Sequence, residues 1–279
     1  MKPAAEPGGS PLIARFGKGF PEGYTAITRA GEPGLDMGFD FGICKIPPGR
    51  PLAERHPKES VWILLQGKAE IEWAGKKALV ERASIFDEAP AALHLGPDTG
   101  VKIAALGSAA EWASARVENP KPFAPRLFKP AELVPEYRGA GLAQGACLRN
   151  VRLIFDRNSR PDSNLVVGEV VNYPGRWSSY PPHHHDQPEI YHYRFTQPQG
   201  YGHAELGDRV FKVRAHDTLK ISGGLDHAQV SAPGYAMYYL WVVRHLQGNP
   251  YTGFAFAAEH EWMLDPKNQG WQAAAGLKP

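Results

Sequence analysis

Short apolar runs separated by turn residues constrain the fold of this chain more than any other feature. Between about Phe39 and Val117 they read FGICKI, SVWILLQG, AEIEWAG, KALVE, ASIFDE and VKIAAL. They resume as ACLRNVRLIF, NLVVGEVV, EIYHYRF, YGHAEL, RVFKV, DTLKIS, HAQVSA and YAMYYLWVV. Runs of about five to seven residues, closed by Gly, Pro or Asp, suit strands of a sandwich or barrel. The 30 Gly and 26 Pro provide the turns. No segment carries a sustained amphipathic helical pattern, so the chain is expected to be all-β.

The same pattern divides the chain. Residues 1–35 read as an arm with one short strand. WILLQGKAEIEWAGKK reads as two hairpin strands around Gly67, with a second turn at Ala74-Gly75. NPKPFAPRLFKPAELVP, with five prolines, reads as a linker between two β-domains, residues 1–125 and 126–279. AFAAEHEWML near the end reads as a short helix.

With 43% hydrophobic and 22% charged residues over 279 positions, the chain can bury a sizeable core, which excludes wholesale disorder. A net charge of +2, spread along the sequence, gives no electrostatic case for nucleic acid or an anionic membrane as partner. Cys44 and Cys147 are read as buried free thiols. No apolar run reaches the length of a membrane span. MKPAAEPGGSPLIARF lacks the apolar core of a signal peptide, and the cytoplasm is the expected location.

The chemistry concentrates in GRWSSYPPHHHDQPEIYHYRF, residues 175–195. Side chains alternate faces along a strand, so His183 and His185 point one way and His184 the other. Glu189 shares their parity and can rejoin them after a turn at Asp186-Gln187-Pro188. Two imidazoles and a carboxylate suit Zn, Mn, Fe or Ni better than Mg or Ca. A further ligand should come from a neighbouring strand, and ISGGLDHAQVSAPGY offers His227. This spacing matches the two cupin motifs, H-x-H-x3-E and later P-x-G-x2-H, with Ser222 where proline is usual. HHH alone would read as a solvated loop; the matched Glu189 and the distant His227 favour a metal site. The expected architecture is therefore two tandem cupin barrels (double-stranded β-helices), with the metal in the second. The first half has His56, Glu59 and His94 but no H-x-H pair, and is read as a scaffold without metal.

WSSYPPHHHD, EIYHYRF and SAPGYAMYYL, with YRGAG, RNVRLIF, LVVGEV and ERASIFDEAP, resemble the 5-deoxy-glucuronate isomerase family of myo-inositol catabolism. The related 5-keto-4-deoxyuronate isomerases are similar. The resemblance runs from about Phe39 to Trp262, where EHEW matches the family's usual close. It implies a bicupin enzyme, an intramolecular oxidoreductase interconverting an aldose and a ketose. The expected reaction takes 5-deoxy-glucuronate to 2-deoxy-5-keto-gluconate, with zinc or a similar metal on His183, His185, Glu189 and His227. The chain departs from the family pattern in a shorter insert before Glu189. HDTLKIS loses a Gly and a Pro, and Ala204, Asp226 and Trp241 replace Gln, Tyr and Asn.

In such a reaction a metal can hold the carbonyl and adjacent hydroxyl oxygens while a base moves a proton between neighbouring carbons; a hydride shift is the other route. Glu169, a carboxylate within the apolar run LVVGEVV, needs a cation, the metal site or solvent, and is the candidate base. Tyr191 and Tyr239 are candidates to hold substrate oxygens, or they are packing residues. Arg194 and Lys220 could meet a substrate carboxylate or lie exposed, and His192 and His203 are further possible proton carriers. The partner is a small sugar acid, with homo-oligomers open through edge strands. A non-catalytic sugar-acid-binding bicupin and an iron-dependent cupin dioxygenase remain the alternatives.

Overall fold

The computed structural model describes residues 10–268 and 270–273. Its described residues are all-β, with three short 3-10 helices. A nine-stranded sheet system holds every strand from Gly23–Thr28 to Arg126–Phe128. The second half forms a seven-stranded and a five-stranded sheet that face each other. Hydrogen bonding closes none of these sheets into a continuous barrel.

Two strands join the halves. Ile13–Ala14, from the N-terminal arm, pairs with Thr218–Ile221 of the second half. Arg126–Phe128, inside the proline-rich stretch, pairs back with Ala92–Leu95 of the first. The core explains the tight association. Val61, Ile63 and Leu65 share one apolar cluster with Leu165, Val167, Ile190, Leu240 and Val242, whereas Trp62 and Leu64 turn into a separate first-half cluster. The central strands are thus buried on both faces, which is why they read as continuous apolar runs.

Four expectations change. The arm carries two strands, Ile13–Ala14 and Gly23–Thr28. The expected hairpin at Gly67 is one continuous strand, Glu59–Trp73, whose register slips between Leu64 and Gln66. That bulge bends the strand from its pairing with Ala110–Val117 into its pairing with Lys76–Arg82 instead of reversing it. The turn at Ala74-Gly75 is present, with both residues left-handed. ASIFDE is a turn, because side chains take its polar groups: Arg82 and Arg152 donate to the carbonyls of Ile85 and Glu88, and Arg152 also to that of Phe86. AFAAEHEWML splits into a two-residue strand and the 3-10 helix Ala258–Leu264. Cys44 and Cys147 are buried and free.

Candidate metal centre

The strand Trp177–His184 pairs with His227–Ser231, Trp177 opposite Val230 and Ser178 opposite Gln229. It then bulges through Ser179–Pro182 and re-enters register with His183 opposite His227. Ser179 sits at the bulge with φ +56°, and its carbonyl lies 3.4 Å from His183 Nδ1. His227 Nδ1 donates to the Leu225 carbonyl at 2.9 Å. An imidazole that spends its Nδ1 proton on a carbonyl presents a lone pair at Nε2, the form a metal requires.

Glu189 opens the strand Glu189–Phe195, hydrogen-bonded on both sides to Thr218–Ile221 and Met237–Arg244, and is held rigidly. Its Oε2 lies 3.0 Å from His185 Nε2 and 3.5 Å from His227 Nε2. One donor atom from each of His185, Glu189 and His227 falls within 4.8 Å of the others. The His183 ring is beside this trio, 4.3 Å from the His227 ring and 6.4 Å from that of His185, but outside the tight group. His227 Nε2 and His185 Nδ1 are buried without a hydrogen-bond partner. A buried nitrogen left bare costs free energy, and a cation between His227 and Glu189 would satisfy it.

Burial, reinforced by the neighbouring His227 and His185, holds His183 well below the usual histidine range. Burial likewise lowers His227 against the opposing pull of Glu189. Both rings are therefore neutral near pH 7, as ligands must be. Gly223 brings the His227 turn to the His185 loop. Its φ is +103°, a Cβ there would lie 2.1 Å from the Asp186 carbonyl oxygen, and the next amide, Gly224 N, donates to His185 O at 2.8 Å. His184 points away and meets Asp226 at 2.7 Å.

Beside the trio lies a cavity of about 210 Å³ between the two second-half sheets. Tyr191 and Tyr239 line it, their rings 4.9 Å apart, and Tyr239 Oη is 2.6 Å from Ser178 Oγ. Burial raises both phenols, Tyr191 strongly, so they remain protonated and act as hydrogen-bonding groups.

Glu169 is corrected. In the strand Leu165–Asn172 the odd positions Leu165, Val167 and Val171 pack in the cluster between the halves, whereas Val166 and Val170 line the cavity. Glu169 has the odd parity. It is fully buried against Arg82 Nη2 at 2.6 Å, Arg152 Nη1 at 2.9 Å and Tyr238 Oη at 2.9 Å, away from the metal trio. Arg194 pairs with Glu111 and Lys220 with Glu32. His192 is buried against Thr218, and His203 is exposed. None of these four lines the cavity. His94 is buried, bonded to Glu59 at 2.8 Å and Arg160 at 2.9 Å.

Sequence reasoning missed Arg138, Arg149 and Tyr251, all in the lining. Arg149 was within reach, since it shares strand parity with Val151 and Leu153, which also face the cavity. Tyr251 and Phe254 come from an irregular segment with no periodic signal. Their rings pack 4.9 Å from His185 and 4.3 Å from His183.

Residues 14–263 match the model of the KduI/IolB family. The chain belongs to the KduI/IolB family. It is 28% identical over 247 residues to a 5-deoxy-glucuronate isomerase of Geobacillus kaustophilus, covering 81% of this chain and 86% of that one. The enzyme of the same name from Bacillus subtilis strain 168 is 25% identical over 248 residues, 81% of this chain and 88% of the relative. An IolB-like protein of Salmonella typhimurium superposes with a TM-score of 0.76 at 22% identity, covering 91% of this chain and all of the other. An oxalate decarboxylase of Lactobacillus farciminis superposes at 0.65 with 14% identity, over 91% and 90% of the two chains. These two likenesses carry the fold. As a KduI/IolB member with such relatives, the protein is an isomerase of the aldose–ketose kind.

Proposed function

We propose that this KduI/IolB protein is a zinc-dependent isomerase converting 5-deoxy-glucuronate to 2-deoxy-5-keto-gluconate in inositol catabolism. We further read it as two cupin-type domains, residues 1–125 and 126–279, with the active site in the second. The observation that carries this reading is the buried trio of His185, Glu189 and His227, with His183 alongside, at the edge of a cavity lined by hydroxyls and arginines.

His183, His185, Glu189 and His227 would hold the metal, and three imidazoles with one carboxylate suit zinc. When bound, such a metal supplies Lewis-acid polarisation of the sugar's carbonyl. The chain's own groups orient the metal ligands and the sugar. The carbonyls of Ser179 and Leu225 fix the His183 and His227 tautomers. Tyr191 and Tyr239, kept protonated by burial, hydrogen-bond sugar oxygens and orient the reacting carbons. Tyr251, Phe254 and Phe256 form an aromatic wall of the cavity against the His183 and His185 rings. Glu169 has no part in proton transfer, because Arg82 and Arg152 occupy it.

The test is direct. Zinc-loaded protein mixed with 5-deoxy-glucuronate, followed by proton NMR, should lose the aldehyde-derived signals as the ketose appears. Chelation should stop conversion, and added zinc should restore it. An unchanged substrate spectrum with fully loaded protein would contradict the assignment.

A further inference from the structure

Arg149, Arg160 and Arg244 are half-buried arginines without a carboxylate partner among the described residues, and of the three only Arg149 lines the cavity. The four arginines that are buried all have a carboxylate: Arg82 and Arg152 share Glu169, Arg116 has Glu54, and Arg194 has Glu111. Arg149 is half-buried and lines the cavity, yet among the described residues no carboxylate lies within ion-pairing distance of it. Its one hydrogen bond among those residues runs from Nη1 to the Cys147 carbonyl at 3.1 Å. Directly across the strand pair stands a second cation, Arg138, also in the lining and offset by Glu136 at 2.7 Å. Like charges facing each other across a ladder repel, and a half-buried guanidinium without a counter-ion is costly. The lining offers two carboxylates. Glu189 belongs to the metal trio, and Asp156 is tied into its own turn by Ser159 and Asn158.

We propose that Arg149, flanked by Arg138, is the anchor for the carboxylate of a sugar-acid substrate, bound across the cavity from the metal trio. The planar fork of a guanidinium matches a carboxylate with two parallel hydrogen bonds, and this one is left with donors to spare. Its charge is close enough to be felt by His183, Tyr191 and Tyr239, so anchor, hydroxyl-binding phenols and metal ligands share one cavity. A sugar whose acid group is held at Arg149 would present its opposite, carbonyl end to the trio. The anchor deepens the isomerase reading and rests on it for its substrate class, but its test does not depend on turnover.

The experiment is calorimetric titration of the zinc-loaded full chain with glucuronate and with glucose, which lacks the acid group. The wild type should bind glucuronate more tightly by about tenfold or more, the range of charged hydrogen bonds. In Arg149→Gln that preference should shrink to within about twofold, with zinc content and melting temperature retained. Arg149→Lys, which keeps the charge but loses the fork, should fall between and covers the case of a poorly folded Gln variant. A wild type without acid preference, or an Arg149→Gln protein that keeps it (the acid then binding the metal), overturns the anchor. Conversion of 5-deoxy-glucuronate alongside an Arg149-independent preference would sink the anchor and leave the isomerase. An Arg149-dependent preference without conversion would do the reverse.

Discussion

Glu189 is the residue on which the metal trio converges, since its Oε2 reaches both His185 and His227. Glu189→Gln keeps the shape and removes the charge. Zinc affinity, measured by chelator competition, should fall at least about tenfold, and turnover about a hundredfold, the scale of a lost metal-assisted step. Gly223→Ala should act at a distance from any donor atom. Its Cβ would collide with the Asp186 carbonyl at 2.1 Å and part the turn before His227 from the loop after His185. Far-ultraviolet circular dichroism should be preserved while zinc affinity drops about tenfold or more; unchanged affinity would show that the loops tolerate separation. His185 and Glu189 could be read from sequence because strand parity and a single turn relate them to His183, and His227 because its later motif matches the cupin spacing. That His183 would sit beside the trio, outside its tightest grouping, could not. It depends on a bulge of four residues whose register is set by the partner strand.

Strand Leu165–Asn172 shows how an element can carry two roles on two faces. Its odd face sends Glu169 into the Arg82–Arg152 cluster that joins the halves, and its even face lines the cavity. Its place in an apolar run told sequence reading that Glu169 needed a cation, the metal site or solvent; of its two cations Arg152 lies 17 positions away and Arg82 87. Arg152 stands directly opposite Glu169 in the neighbouring strand, but no local pattern reveals a partner as distant as Arg82. Glu169→Gln should leave two buried arginines short of charge and destabilise the protein by about 3–5 kcal/mol in denaturant titration, with zinc content per folded molecule unchanged. Loss of zinc from folded protein would return Glu169 to the site. The same strand explains Gly168, over which the Trp241 ring passes: a Cβ there would lie 2.3 Å from Trp241 Cζ2. Gly168→Ala should displace the indole, shift its fluorescence and destabilise by about 1–3 kcal/mol. The ASIFDE turn illustrates the same blindness, because composition suggested a strand and the distant Arg152, with the adjacent Arg82, took its carbonyls.

Across the whole molecule, the all-β architecture was legible from the length and punctuation of the apolar runs, whereas the exchange of strands between the halves was not. Ile13–Ala14 and Arg126–Phe128 look like fragments of an arm and a linker until their partners are known. Buried histidines are also a property of the whole. Burial holds His192 well below its ordinary value and lowers His245, and burial with the nearby Arg194 brings His216 to about 4. As pH falls below about 6.5 the unfolded chain takes up protons that these folded rings refuse, so their full stabilisation is present above that pH and declines toward about 4. Melting temperatures of metal-free protein should fall steadily between about pH 7 and 5, and a flat profile would show that the rings are protonated in the fold. Among the described residues no helix is long and apolar enough to cross a membrane. The most direct test of the metal centre is anomalous diffraction at the zinc edge from zinc-loaded crystals. A single peak should appear about 2.0–2.2 Å from donor atoms of His185, Glu189 and His227, with His183 completing the set. A peak elsewhere, or none at these residues, would contradict it.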